Sequence, residues 1–301
     1  MSQPYFCRLP KQGSVLVLCL GIIMVLSILG LGLSGLVFQE IKFVSAYRRF
    51  VLSLPVAKAA VKTVFAQRLQ DFTPGYDTLT ELATASKVDF CGGNSYEYYF
   101  VDHLDVENSR VIDESGLINL NLATQEMLQR LPGLDEDLAK SIIDSGLRPF
   151  KSINEVLLVE DIKPENFRLF KDMVTIYGSG KINVNTASKE VLLALGVDEE
   201  AVEAILTFRK EHKIDLPENA PEGFKEERGI TSISTLITDI NQLVSLGLRQ
   251  EQNLISLSNW LDVKSEFLRF NVIPKFGAAK GVHYSITIHP ATNKVLAWRE
   301  Y

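Results

Sequence analysis

Gly116-Leu-Ile-Asn-Leu-Asn-Leu-Ala-Thr-Gln-Glu-Met-Leu-Gln-Arg-Leu-Pro-Gly-Leu-Asp-Glu-Asp137 returns, one residue shorter, as Gly180-Lys-Ile-Asn-Val-Asn-Thr-Ala-Ser-Lys-Glu-Val-Leu-Leu-Ala-Leu-Gly-Val-Asp-Glu-Glu200. The spacing of about 64 residues is too long for a solenoid unit and marks a duplicated subdomain. Each copy predicts an extended Ile-Asn-x-Asn piece, an amphipathic helix, a glycine-containing hairpin and a second amphipathic helix. Asn121, and Asn185 or Thr186, are the expected N-caps, because a short polar side chain there satisfies an orphan N–H. The first copy runs on through Pro149-Phe150-Lys-Ser-Ile-Asn-Glu-Val-Leu. The second runs on through Gly229-Ile-Thr-Ser-Ile-Ser-Thr-Leu-Ile, after a polar insertion over 211–228.

This is helix-hairpin-helix architecture, and such units often hold a nucleic-acid phosphate on the hairpin N–H groups and the helix N-terminus behind them. Here the hairpins read Gly133-Leu-Asp135-Glu-Asp and Gly196-Val-Asp198-Glu-Glu, with acid where a phosphate would sit. The partner loop Val159-Glu160-Asp161-Ile162 is acidic as well. Carboxylates repel phosphate but favourably cap a helix dipole. The wider charge agrees. Net charge is −6 overall, but Glu40–Gln70 carries +5, which leaves −13 on residues 71–301. A surface that acidic lacks the Lys and Arg that supply most phosphate affinity. The hairpins are therefore expected to be structural or protein-binding. The alternative is a membrane-anchored DNA-binding protein of a competence-type uptake system.

Upstream, Ser14–Gln39 contains no charged residue. At about 1.5 Å per residue it is long enough to cross a hydrocarbon core of about 30 Å. Arg8 and Lys11 precede it, so the N-terminus is expected to stay cytoplasmic and the C-terminal part to be exported to the periplasm. The block is too long for a cleaved signal, and no alanine lies between Ser14 and Ser45 to end one. Cys19 follows Leu18 and not a small residue, which argues against a lipoprotein signal. A plain signal anchor on a periplasmic interaction protein fits length and charge. The alternative begins with Leu9-Pro-Lys-Gln-Gly13-Ser14, a basic leader that ends in glycine where the apolar helix starts. This resembles the site at which a prepilin peptidase cuts type IV pilin-like proteins, after Gly13, leaving the helix as anchor with a methylated Ser14. Most such proteins carry glutamate at the fifth mature position, where this chain has Leu18. That glutamate pairs with a neighbour's terminal ammonium in the filament core, and an unpaired charge there is expensive. Leu18 therefore either refutes a pilin reading or places the subunit at the tip.

The helix is expected to continue over Glu40–Gln70, kinked or frayed near Pro55, and to end in the turn Asp71–Gly75. Tyr96–Val101 and Arg110–Ile112 read as strands after a turn at Cys91-Gly92-Gly93, and Phe267–Ile273, Val282–His289 and Lys294–Trp298 as later strands. No cysteine pair or histidine grouping has zinc-ligand spacing, and no catalytic constellation is present, so no enzyme and no cofactor is expected. Asp102, Asp105, Glu107, Asp113 and Glu114 are candidate ligands for calcium, an oxygen-seeking ion, without EF-hand order.

Together these residues resemble the minor pseudopilin K family of type II secretion (general secretion pathway protein K). They are the leader, the missing glutamate at Leu18, the paired Ile-Asn-x-Asn units and the closing Val295-Leu-Ala-Trp298 strand. Departures are the missing proline before Gly196, the 211–228 insertion and a longish leader. The resemblance implies an α+β pilin-like fold: a long N-terminal transmembrane helix on an antiparallel sheet, with a duplicated helix-hairpin-helix domain inserted. The expected divisions are leader 1–13, transmembrane helix 14–39, pilin-like helix and first strands 40–115, helical domain 116–260 and closing strands 261–301. It also implies a single-pass inner-membrane protein. Its partners would be other minor pseudopilins at the pseudopilus tip, the major pseudopilin and the prepilin peptidase.

Overall fold

The structure is a computed structural model that describes residues 12–68, 73, 75–78, 86–90, 94–99, 113–211, 229–276 and 279–300. The chain divides into two compact units, Met1–Leu54 and Pro55–Tyr301.

Helix α1 (Gln12–Arg68) supplies the whole described part of the first unit and continues into the second. Pro55 does not fray it; helical backbone continues for three further turns. From Val15 to Phe38 the helix is apolar on every side and its large side chains are exposed, Leu18 at 64%. A soluble helix buries one stripe; one that is apolar all round needs an apolar surrounding. One span of mean hydropathy 2.8 meets the length and composition of a membrane crossing. It is a candidate single-pass anchor.

Among the described residues the second unit has two hydrophobic cores. In the smaller, Ala57, Ala60, Val61 and Val64 of α1 lie on Leu268, Phe270, Val272, Tyr284, Ile286 and Ile288. The helical 3–4 spacing lays one face against the inward residues of strands that alternate at period two. Those strands are β7 (Leu268–Phe276) and β9 (Tyr284–His289). They belong to an antiparallel sheet with β1 (Ser86–Phe90), β2 (Asn94–Tyr99) and β10 (Lys294–Glu300). Its order is β1-β2-β7-β9-β10, and the two-residue β8 (Ala279–Lys280) adds to β7. The neighbours β2 and β7 are separated in sequence by the helical module, so that module is an insertion within the sheet. Strand β1 was not expected. Arg110–Ile112 and the turn at Cys91 lie outside the described residues.

The larger core, from Ile118 to Val263, belongs to the duplicated module. Copy one runs from β3 (Ile118–Asn119) through α2 (Gln125–Gln129), α3 (Glu136–Asp144) and α4 (Pro164–Phe170) to β4 (Val174–Thr175). Copy two runs from β5 (Ile182–Asn183) through α5 (Lys189–Leu195), α6 (Glu199–Glu211), α7 (Leu236–Asn241) and α8 (Leu248–Leu257) to β6 (Leu261–Asp262). In each copy the opening Ile-Asn strand pairs in parallel with the closing one, so each is a closed loop of chain.

The N-caps differ from expectation. Thr124 caps α2 by accepting from Met127 N, and Ser188 caps α5 by accepting from Val191 N. Asn121 and Asn185 are spent elsewhere. Asn121 donates to Phe150 O (3.0 Å) and accepts from Phe150 N (2.6 Å). Asn185 makes the same two-way clamp with Ile230 (3.0 and 2.8 Å). Thr186, the other expected cap, donates its hydroxyl to Asp113 instead.

Candidate functional site

The hairpins are the first candidate. Gly133 and Gly196 both have positive φ (81° and 104°), the left-handed conformation that only glycine adopts without strain. Gly196 is the C-cap of α5, and its N–H returns to the carbonyls of Leu192 and Leu193. A Cβ at Gly133 would meet Leu169 Cδ1 at 2.8 Å, and one at Gly196 would meet Arg130 Nη1 at 2.7 Å. Both hairpins are packed against the module itself.

The polar groups of the hairpins are engaged in the same way. Asp135 accepts from Leu138 N (2.9 Å) and so caps α3. Asp198 accepts from Glu200 N (3.2 Å) at the start of α6 and faces Arg249 (3.4 Å). Asn166 donates to Gly133 O (2.9 Å), and Asn253 donates to Gly196 O (3.0 Å). Asn253 also accepts from Asp198 N (2.9 Å). The N–H that a phosphate would need at the second hairpin is thus bonded to an amide from α8.

Beside this hairpin lies an open groove lined by Asp198, Glu199, Glu200, Glu203, Thr207 and Arg249. Its carboxylates have partners: Lys189 reaches Glu199 (3.5 Å) and Glu203, and Gln250 donates to Glu200. Lys189 is held above its ordinary range by the Glu203 hydrogen bond first, and Glu203 below its own by Lys189. Four carboxylates against one arginine make this a poor surface for a polyanion.

The second candidate is a buried polar seam between the two cores, which sequence spacing could not reveal. Asp113 Oδ2 accepts from Thr186 Oγ1 (2.6 Å), Ser265 Oγ (2.6 Å) and Asn183 Nδ2 (3.3 Å), while its Oδ1 accepts from Ser115 N (2.9 Å). Burial pushes the Asp113 carboxyl up to about 6 from 3.8, aided by the nearby Asp77 charge and opposed by the donors from Ser265, Thr186 and Ser115. Asp77 accepts from Ser265 N (2.7 Å). Next to it, Glu114 accepts from Thr175 and pairs with Arg269 Nε (2.9 Å).

Of the calcium candidates singled out in the sequence, the seam holds Asp113 and Glu114. Asp113 and Glu114 spend their oxygens on protein donors, and Asp102, Asp105 and Glu107 lie outside the described residues. Among the described residues no group of three or more His, Cys, Asp or Glu has the arrangement of a metal site. Gly13 and Ser14 fall in the first turn of α1, and Leu18 one turn further along. Sequence reading missed Asn166, Asn253 and Ser265; each acts on a partner at least 33 residues away, with no local signal.

Residues 113–175 match the family model described as a helix-hairpin-helix motif, which is the first copy of the repeat. No curated protein matches the chain significantly. Among solved structures, the chain is similar to a chain of the GspK–GspI–GspJ complex from the type 2 secretion system of enterotoxigenic Escherichia coli. Identity is 13% and the TM-score 0.55, covering 81% of this chain and 94% of that one. The likeness is one of fold, a pseudopilin-like arrangement. In this chain β2 and β7 are neighbours in one sheet, and the helical module is carried as an insertion between them.

Proposed function

We propose that this chain is a minor pseudopilin of a type II secretion system, of the K class, and that it sits in the tip complex of the pseudopilus. The observation that carries the reading is the pairing of a pseudopilin-like fold with Leu18 where a filament-interior subunit holds a glutamate. A subunit without that carboxylate cannot neutralise a neighbour's terminal ammonium, so it fits where no such amine is presented. The role is one of assembly and not of catalysis. Its partners are other minor pseudopilins, the major pseudopilin, and a prepilin peptidase acting after Gly13.

Co-expression of the full chain with a prepilin peptidase tests the class. Mass spectrometry is expected to find a mature chain that begins at N-methylated Ser14. An uncut N-terminus would return the protein to a plain membrane-anchored interaction module.

The helix-hairpin-helix match makes DNA uptake the second reading. Asp135, Asp198 and the Asn253 clamp argue against it. The full chain in detergent is expected to leave duplex DNA unshifted at low salt, where phosphate contacts are strongest.

A further inference from the structure

The end of the span opposite the leader carries a cluster of exposed cations and rings. Val15–Phe38 is 24 residues, or about 36 Å of helix, against a hydrocarbon core of about 30 Å. Past it the exposed side chains change character. Phe38, Phe43, Tyr47 and Phe50 are all exposed, Phe43 at 71%. They interleave with Lys42, Arg48 and Arg49, and Glu40 is the one acidic residue between Ser14 and Gln70.

The pairs are organised one helical turn apart. Lys42 Nζ lies 4.3 Å from the centre of the Phe38 ring. Phe43 stacks on Tyr47 with ring centres 6.4 Å apart and planes at 14°. Lys42 and Arg49, seven residues apart, share one side of the helix, while Phe43, Tyr47 and Phe50 share another. The cations and rings therefore surround the helix instead of forming a stripe.

Tyr47, an aromatic ring with a polar edge, suits the headgroup level, the phenylalanines add apolar contact beside it, and long basic side chains lie along apolar surface with the charge held in the polar layer. Helical side chains lean toward the helix N-terminus, so those of Arg48 and Arg49 lean back toward the span. Arg8 and Lys11 precede the span, and Lys42, Arg48 and Arg49 follow it, where their charge calls for a counter-charge at that surface.

We infer that residues 38–50 of α1 form a collar that binds the phosphate headgroups of an anionic phospholipid surface, holding the anchor at a set depth before it is drawn into an assembly. The inference rests on reading α1 as a membrane span.

The full chain and its K42Q/R48Q/R49Q variant are reconstituted into vesicles of equal phosphatidylcholine and phosphatidylglycerol. After extraction, native mass spectrometry counts the lipids that each retains. Arg8 and Lys11 remain in both chains, so the difference reports the collar. Phosphatidylglycerol is expected to be enriched on the unmodified chain and several-fold less so on the variant, since a cation near an anionic surface is worth about fivefold in affinity. Retention of both lipids in equal proportion, or equal enrichment on the two chains, overturns the collar and leaves the cations to carboxylates of neighbouring subunits. Release of the unmodified chain from the vesicles by alkaline wash overturns the span, and the collar with it.

Discussion

Asp113 shows how a single residue joins the two cores and what that costs. A carboxylate removed from water is stabilised only by its donors, and three side chains from two distant segments converge on one oxygen. Its carboxyl titrates at about 6 in the folded chain, above the ordinary 3.8. Between those values the folded chain holds a proton that the unfolded chain has lost, so this residue's contribution to stability falls as pH rises through that window. A shift of this size corresponds to up to about 3 kcal/mol. Urea unfolding of the full chain and of Asp113→Asn, in the same detergent at pH 4.5 and pH 7, is expected to show the unmodified chain gaining on the variant as pH falls. Rotating hydroxyls on Thr186 and Ser265 can accept from the protonated acid or donate to the charged one, so both states keep partners. A difference that does not change with pH would mean that Asp113 stays charged throughout. None of this was legible in the sequence, where Asp113 and Glu114 read as calcium candidates. Ser265 is 152 residues from Asp113, and no spacing rule connects them.

Each repeat is held shut by an asparagine whose amide replaces a missing backbone ladder. Asn185 is buried and bonds both the N–H and the carbonyl of Ile230, which lies past the 212–228 segment. Asn121 does the same for Phe150 from a half-buried position. Truncation to alanine leaves a donor and an acceptor unpaired, and each buried orphan costs about 1–3 kcal/mol. Asn185→Ala is expected to cost about 2–4 kcal/mol and Asn121→Ala about half as much, read from the shift in denaturant midpoint. Equal shifts would mean that water replaces both clamps alike. The Ile-Asn-x-Asn signature and the left-handed glycines made the repeat readable. The use of the asparagines was not, because Asn is a good N-cap by local rules and only tertiary closure reassigns that job to Thr124 and Ser188. Strand β1 was missed for a similar reason. Ser-Lys-Val-Asp-Phe has weak alternation of its own, and its pairing with β2 supplies the order.

At the scale of the whole molecule the apolar half of α1 was the most legible feature, since 26 residues without a charge have few physical uses. On the proposed tip role, what it does in an assembly turns on Leu18. An unpaired carboxylate costs up to about 2.5–3.5 kcal/mol at the centre of a membrane span and less near its end, where Leu18 lies. In a filament interior the neighbour's ammonium would be that partner, and both charges would be neutralised. Leu18→Glu should therefore gain a favourable place between like subunits and lose its preference for the tip. With the other pseudopilins co-expressed, cysteine crosslinking is expected to find the unmodified chain only among minor subunits and the variant also among major ones. The helical module, whose core lies between Ile118 and Val263, would oppose this if its bulk kept another subunit from stacking upon it. The two effects separate in a chain that carries Leu18→Glu and lacks the module, provided that β2 and β7 still pair. Crosslinks along the filament in that chain alone would assign tip placement to bulk. Crosslinks in both would assign it to Leu18, and an unchanged position in both would remove Leu18 from the account.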